Sequence, residues 1–164
     1  MFRLIKANTV LFLCFFWFST PPLFSQGLHL PPSGGFDVTV NGLKDGDPIS
    51  DSEVSARVKL RLRKNNVPYS LGDTKVGELL VTLKFMELKD KKSKQKTGDY
   101  AFSLELSFGR YLSASNHQTP VWAIVWGASS IGYSPGETIS ELILPQLDGG
   151  IDLFSVEFLE ENNF

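Results

Sequence analysis

The sequence predicts an α+β fold, a two-layer sandwich in the order β-α-β-β-β-α. Two helices would cover one face of a mainly antiparallel four-stranded sheet. Three observations predict it. Residues 100–108 alternate strictly, with Tyr100, Phe102, Leu104, Leu106 and Phe108 on one face and Ala101, Ser103, Glu105 and Ser107 on the other. Ile139, Ile143, Leu147, Ile151, Phe154 and Phe158 recur at steps of three or four, a stripe that only a helix places on one side. Ser50 and Glu53 have the spacing of a capping box and open a segment in which Val54, Val58 and Leu62 recur every four residues.

The first strand is predicted over 36–40, where Phe36, Val38 and Val40 alternate with Asp37 and Thr39. Asn41-Gly42 and Asp45-Gly46-Asp47-Pro48 then break the chain. Residues 54–63 also alternate and so fit a strand. The capping box, Asp51 in the first turn and the basic end at Arg63-Lys64 favour a helix over 51–64. Residues 79–88 form the second strand, with Leu79, Val81, Leu83 and Phe85 on one face. A long basic turn over 89–99 leads into the strand at 100–108.

Residues 120–126 make the fourth strand. It is apolar on both faces, which predicts a central strand or one covered on both sides. The turn-rich residues 127–136 should end the sheet. Thr138 and Glu141 form a second capping box ahead of the last helix. Pro145 and Gly149-Gly150 lie inside its stripe, so a kink or a short break is expected.

Ahead of this domain, Arg3 and Lys6 precede an apolar run, Val10-Leu11-Phe12-Leu13-Cys14-Phe15-Phe16-Trp17-Phe18, and Pro21-Pro22 follows it. A basic start, a short apolar middle and a helix-breaking exit are the parts of a secretory signal peptide over 1–25. A spanning helix needs about 20 apolar residues, more than this run supplies. The exit lacks a clean A-x-A site, so an uncleaved membrane anchor is the alternative. A Gly/Pro-rich lead-in over 26–35 is expected to be flexible. The single domain then covers 36–162. The expected location is outside the cytoplasm, periplasmic or secreted.

Composition excludes several kinds of chemistry. Cys14 is the only cysteine and lies in the leader, so the exported domain has no thiolate, disulfide or cysteine metal site. Leu13 stands where a lipoprotein signal wants a small residue, which argues against lipidation of Cys14. Without Arg3 and Lys6, the 16 Lys+Arg fall to 14 against 18 Asp+Glu, a net charge near −4. That suits solubility and opposes nucleic-acid binding. Two scattered histidines, His29 and His117, cannot make a closed zinc site. No metal and no cofactor are expected. A catalytic reading would need a pocket assembled from scattered residues, an envelope hydrolase with His117 as its base.

The candidate contact residues form three groups. Lys89, Lys91, Lys92, Lys94 and Lys96 put five positive charges in eight residues, relieved only by Asp90. Such a run is a solvated hairpin tip or a contact for anionic headgroups or phosphates. Trp122 and Trp126 are expected on one face of their strand, as core indoles or as an outward platform. Ser103, Glu105 and Ser107 line the polar side of the alternating strand, which two helices on the opposite face would leave open.

The strand at 100–106, Trp126, Gly132, the closing pattern Phe154-x-x-x-Phe158-Leu159 with Asn162, and Val58 to Lys64 resemble small exported bacterial proteins of unknown function. Pro145 and Gly149-Gly150 depart from that pattern. The element order also resembles periplasmic adaptor domains such as the lipopolysaccharide-assembly lipoprotein that plugs an outer-membrane barrel. The resemblance implies an exported α+β domain and transfers no catalytic residue. The sequence is therefore expected to encode a non-catalytic binding or assembly domain of the bacterial envelope. Its partner would be an envelope protein or an anionic envelope surface.

Overall fold

In the computed structural model, residues 28–30, 34–69, 74–112 and 119–163 are described. The leader and His117 lie outside them. The elements are β1 (Gly34–Asn41), α1 (Asp51–Lys64), β2 (Thr74–Lys89), β3 (Lys96–Leu112), β4 (Val121–Pro135) and α2 (Ile139–Asn162). The strand order is β1-β2-β3-β4. β1 pairs with β2 in parallel, and β2–β3 and β3–β4 pair antiparallel. A parallel pair needs a crossover, and α1 supplies it. This is the expected β-α-β-β-β-α order.

The period-two pattern sets the core. Phe102, Leu104, Leu106 and Phe108 of β3 are buried, as are Leu79, Val81 and Leu83 opposite them on β2. Val54, Val58 and Leu62 of α1 and the whole stripe from Ile139 to Phe158 close over them. Phe36 sits at the centre, edge-on to Phe108 at 5.4 Å, to Phe154 at 5.8 Å and to Phe158 at 5.4 Å between ring centroids. Such tilted pairs add to the area they bury.

The helices run parallel, laced by side chains that step by four along α1 and by four and three along α2. Arg57 grips Asp148 through two bonds of 2.8 and 2.9 Å. Arg61 grips Asp152 in the same two-pronged way. Asn65 donates to Asp152 at 2.8 Å and to Ser155 at 3.0 Å. Planar guanidinium-carboxylate forks fix both distance and orientation. Sequence periodicity marked none of these pairs, because partners lie about ninety residues apart.

Several expectations change. The Ser50 cap forms, accepting from the Glu53 N–H at 3.3 Å. The second cap does not. A 3-10 turn over Gly136–Thr138 leads into α2, and the Thr138 hydroxyl bonds back to the Pro135 carbonyl and to Ser134. α2 is unbroken across Pro145 and Gly149-Gly150. Pro145 lies in the second turn of α2 and on its exposed side, and the donor it lacks is the one that would bond the Glu141 carbonyl. Gly150 lies against the sheet, where a Cβ would come within 3.0 Å of Leu106 Cδ1.

The lead-in, expected to be flexible, is tied down over 28–30. Leu28 and Leu30 are buried in the core. Asn162 accepts from the Leu30 N–H at 2.8 Å and donates to the Leu28 carbonyl at 3.0 Å. The apolar pair won over the local Gly/Pro composition.

β4 differs most. It continues through 127–135, where turns were expected, and it is an edge strand rather than a central one. One of its two glycines, Gly132, makes room for a ring. A Cβ on Gly132 would meet the buried Phe102 ring at 2.5 Å. Gly132→Ala should therefore cost about 1–3 kcal/mol, as overpacking does. Gly149, inside a helix with nothing within 4 Å of a built Cβ, should behave oppositely. Gly149→Ala is expected to gain about 0.5–1 kcal/mol. Urea midpoints of the two variants check both signs.

The ladder also has a pH signature. The hydrogen bond from Arg61, seconded by Asn65, holds the Asp152 carboxyl below its usual range. A depressed folded value stabilises fully above the ordinary carboxylate range, and that contribution is lost as pH falls through the folded value. Arg61→Met should lower stability at pH 7 and flatten its decline below about pH 4. Thermal melts between pH 2 and 7 measure this.

Candidate functional site

Two helices cover one sheet face, and no described segment covers the opposite face. Glu105 of β3 is exposed at its middle, with Thr82 on β2 and Ser129 on β4 directly across. Ser103 is half-buried and lies between Lys84 and Ile131. Ser107 is only 4% exposed, between Leu80 and Gly127, so it floors the surface rather than presenting a contact.

The two tryptophans part company. Phe108 pairs with Trp126, but the next residue, Gly109, pairs with Ile124. Val125 is thus an extra residue in β4, a β-bulge. One extra residue reverses which side every later residue faces. Trp126 lies on the helix side, donating to Glu157 at 2.9 Å and packing on Phe154 at 5.1 Å. Trp122 lies on the open side beside Tyr111, ring centroids 5.0 Å apart, and over Gly109, where a Cβ would meet its ring at 2.5 Å. The expected common face is corrected: Trp126 is half-buried on the helix side, away from Glu105 and Trp122. No periodicity argument shows a bulge, because the pattern on each side of it is regular.

The lysine run is a compact hairpin tip. Asp90 organises it, accepting from the N–H groups of Lys92 at 2.9 Å and Ser93 at 2.6 Å. These bonds hold its carboxyl below the ordinary value. Lys94 adopts a left-handed φ of 60° to close the turn. Lys96 is committed to Glu87 at 2.5 Å. Lys89, Lys91, Lys92 and Lys94 are exposed. The tip is far from Glu105: nine residues of β3 between Lys96 and Glu105 span about 30 Å. Trp122, across from Tyr111, lies about 20 Å from Glu105 toward the opposite end. The structure thus gathers Ser103 and Glu105 and places the lysine tip and Trp122 at opposite ends.

What joins them is apolar and was missed. Along the open side of β4, Trp122 is 42% exposed, Ile124 65%, Ile131 71% and Tyr133 51%. Met86 of β2 and Tyr111 of β3 are exposed on the same face. A polar waist around Glu105 thus separates two apolar ends. Ile131 and Tyr133 carried a period-two signal, concealed among the glycines and serines of 127–136. Among the described residues, no group of three or more His, Cys, Asp or Glu could hold a metal ion. No helix among them is long and apolar enough to cross a membrane.

If Trp122 and Trp126 sit as described, their emission separates. In a Trp17→Phe background, Trp126→Phe should leave a red-shifted spectrum that acrylamide quenches readily. Trp122→Phe should leave a blue-shifted one that it quenches poorly. Steady-state quenching reads both.

No family model matches the chain, and no curated protein does. Among solved structures it is similar in outline to rare lipoprotein B from Shewanella oneidensis, at 16% identity over 76% of this chain and 96% of that one, with a TM-score of 0.33. The likeness to that lipoprotein is a weak, fold-level one.

Proposed function

We propose that this protein is an exported, non-catalytic binding or assembly domain of the cell envelope, and that its contact surface is the open face of the sheet. The observation that carries the reading is the run of exposed apolar side chains on a face that neither described helix covers. Ile124, Ile131, Tyr133 and Met86 flank the polar row of Thr82, Glu105 and Ser129. Apolar surface rimmed by polar groups is the composition of a protein contact site. The leader pattern of 1–25 supplies the export part of the reading.

Glu105 sets polarity at the middle of that surface, and Lys84 stands two residue pairs away on the same face. A partner would present a cation or a hydroxyl to Glu105 and apolar side chains to either end. The exposed lysines of the tip would draw the domain to an anionic surface, each contributing on the order of 1 kcal/mol and screened by salt.

Two arms test this. The full chain and its Glu105→Lys variant are each used to capture partners from the envelope fraction. Loss of a defined envelope protein from the variant, with an unchanged melt, is the expected result. Unaltered capture would overturn the open-face reading. With vesicles containing anionic phospholipid, changing Lys89, Lys91, Lys92 and Lys94 to Ser should abolish salt-sensitive retention. Equal retention would remove the lysine tip from the proposal.

A further inference from the structure

β4 is built like an interior strand and placed at an edge. Fifteen residues, Val121–Pro135, contain no Asp, Glu, Lys or Arg. Among the described residues, its outer row of N–H and C=O groups has no strand beside it. Proteins that keep such edges free guard them with lysine, proline or inward charges, and this one has only a terminal proline and the bulge at Val125. Over 121–126 both faces are apolar, the pattern of a strand with neighbours on both sides.

We infer that β4 pairs antiparallel with β4 of a second copy of this chain, across a two-fold axis at Ala128. The register follows from the side chains. About Ala128, Gly127 opposes the partner copy's Ser129, and Trp126 opposes Ser130, so that open side meets open side and helix side meets helix side. Counting outward, the bulged Val125 is passed over. Ile124 then stands opposite Ile131, and Trp122 opposite Tyr133. All four lie on the open face and are exposed in the single chain. Because alternation reverses beyond the bulge, passing over Val125 is what keeps open side against open side on both sides of the axis. Aromatic and aliphatic pairs directly across are the favourable cross-strand combinations. An uncharged strand meets its copy without like-charge repulsion. One patch facing itself makes a closed, isologous contact.

The second copy is favoured over a foreign strand because the match is internal: the residues that need cover are those that supply it. The result is an eight-stranded sheet with all four helices on one side and a doubled open face. This pairing goes beyond the open-face reading and does not depend on what that face binds.

The test uses the full chain with Cys14→Ser, carrying either Ile124→Cys or Ile131→Cys. Within one strand these positions lie about 23 Å apart, and each is equally far from its own copy across the axis. A disulfide needs Cα atoms within about 7 Å. Each variant alone should therefore stay uncrosslinked under mild oxidation, and the mixture should give a covalent dimer. Equilibrium sedimentation of the unsubstituted chain should show a concentration-dependent dimer that Ile131→Lys, at an exposed position, converts to monomer with its melt unchanged. Sedimentation as a monomer throughout, crosslinking equal in the unmixed variants, or a dimer that survives Ile131→Lys would each overturn the inference. None of these outcomes bears on the capture assay with Glu105→Lys.

Discussion

Phe36 holds the two layers together. It belongs to β1, the shortest strand, yet its ring touches Phe108 of β3 and Phe154 and Phe158 of α2, and lies 6.4 Å from the Tyr69 ring beyond α1. One fully buried ring therefore joins the parallel edge of the sheet, its antiparallel half and the last helix. The chain ends converge on the same region. Leu28 and Leu30 enter the core just before β1, and Asn162 at the end of α2 clasps the backbone between them. Burial at one face is thus closed by the first and last described segments, and no described segment covers the opposite face.

Much of that arrangement was legible. The steps of four in α1 and α2, the alternation of β3 and the Ser50 cap are local patterns that report which side of an element is dry. They gave the element order and the buried stripe. What was not legible is non-local. Gly132 reads as a turn residue, and only the Phe102 ring beside it explains why it sits in a strand. Gly150 reads as a helix breaker until Leu106 is seen against it. Val125 carries no mark of a bulge, though it sends Trp122 and Trp126 to opposite faces. In each case a contact between distant segments outweighs a local preference of about 1 kcal/mol. The candidate site was half legible for the same reason. Glu105 follows from alternation, whereas Ile131 and Tyr133 depend on β4 continuing past its glycines.

The helix ladder explains why the cover is one-sided and rigid. Arg57, Arg61 and Asn65 fix α1 to Asp148, Asp152 and Ser155 of α2 along two full turns. These pairs lie at the outer seam between the helices and are partly exposed, so their individual contribution to stability is small. Their effect is geometric. Forked ion pairs at successive turns set the helices parallel and in one register, which in turn places the α2 stripe over β3 and β4.

Length decides the rest. α2, with 24 residues, is about 36 Å long, whereas the 15 residues of β4 extend about 50 Å. The helix starts beside Pro135 and runs back along β4, so it is used up before the strand is. Glu157 already reaches Trp126. Val121 shows the consequence: it is on the helix side, yet 54% of it is exposed. Among the described residues, nothing therefore covers the far end of β4 on either face or along its edge. A strand that combines this overhang with an apolar sequence and no charge needs cover that no described segment supplies. That need arises from the mismatch between 1.5 Å and 3.3 Å of rise per residue, and not from any one side chain.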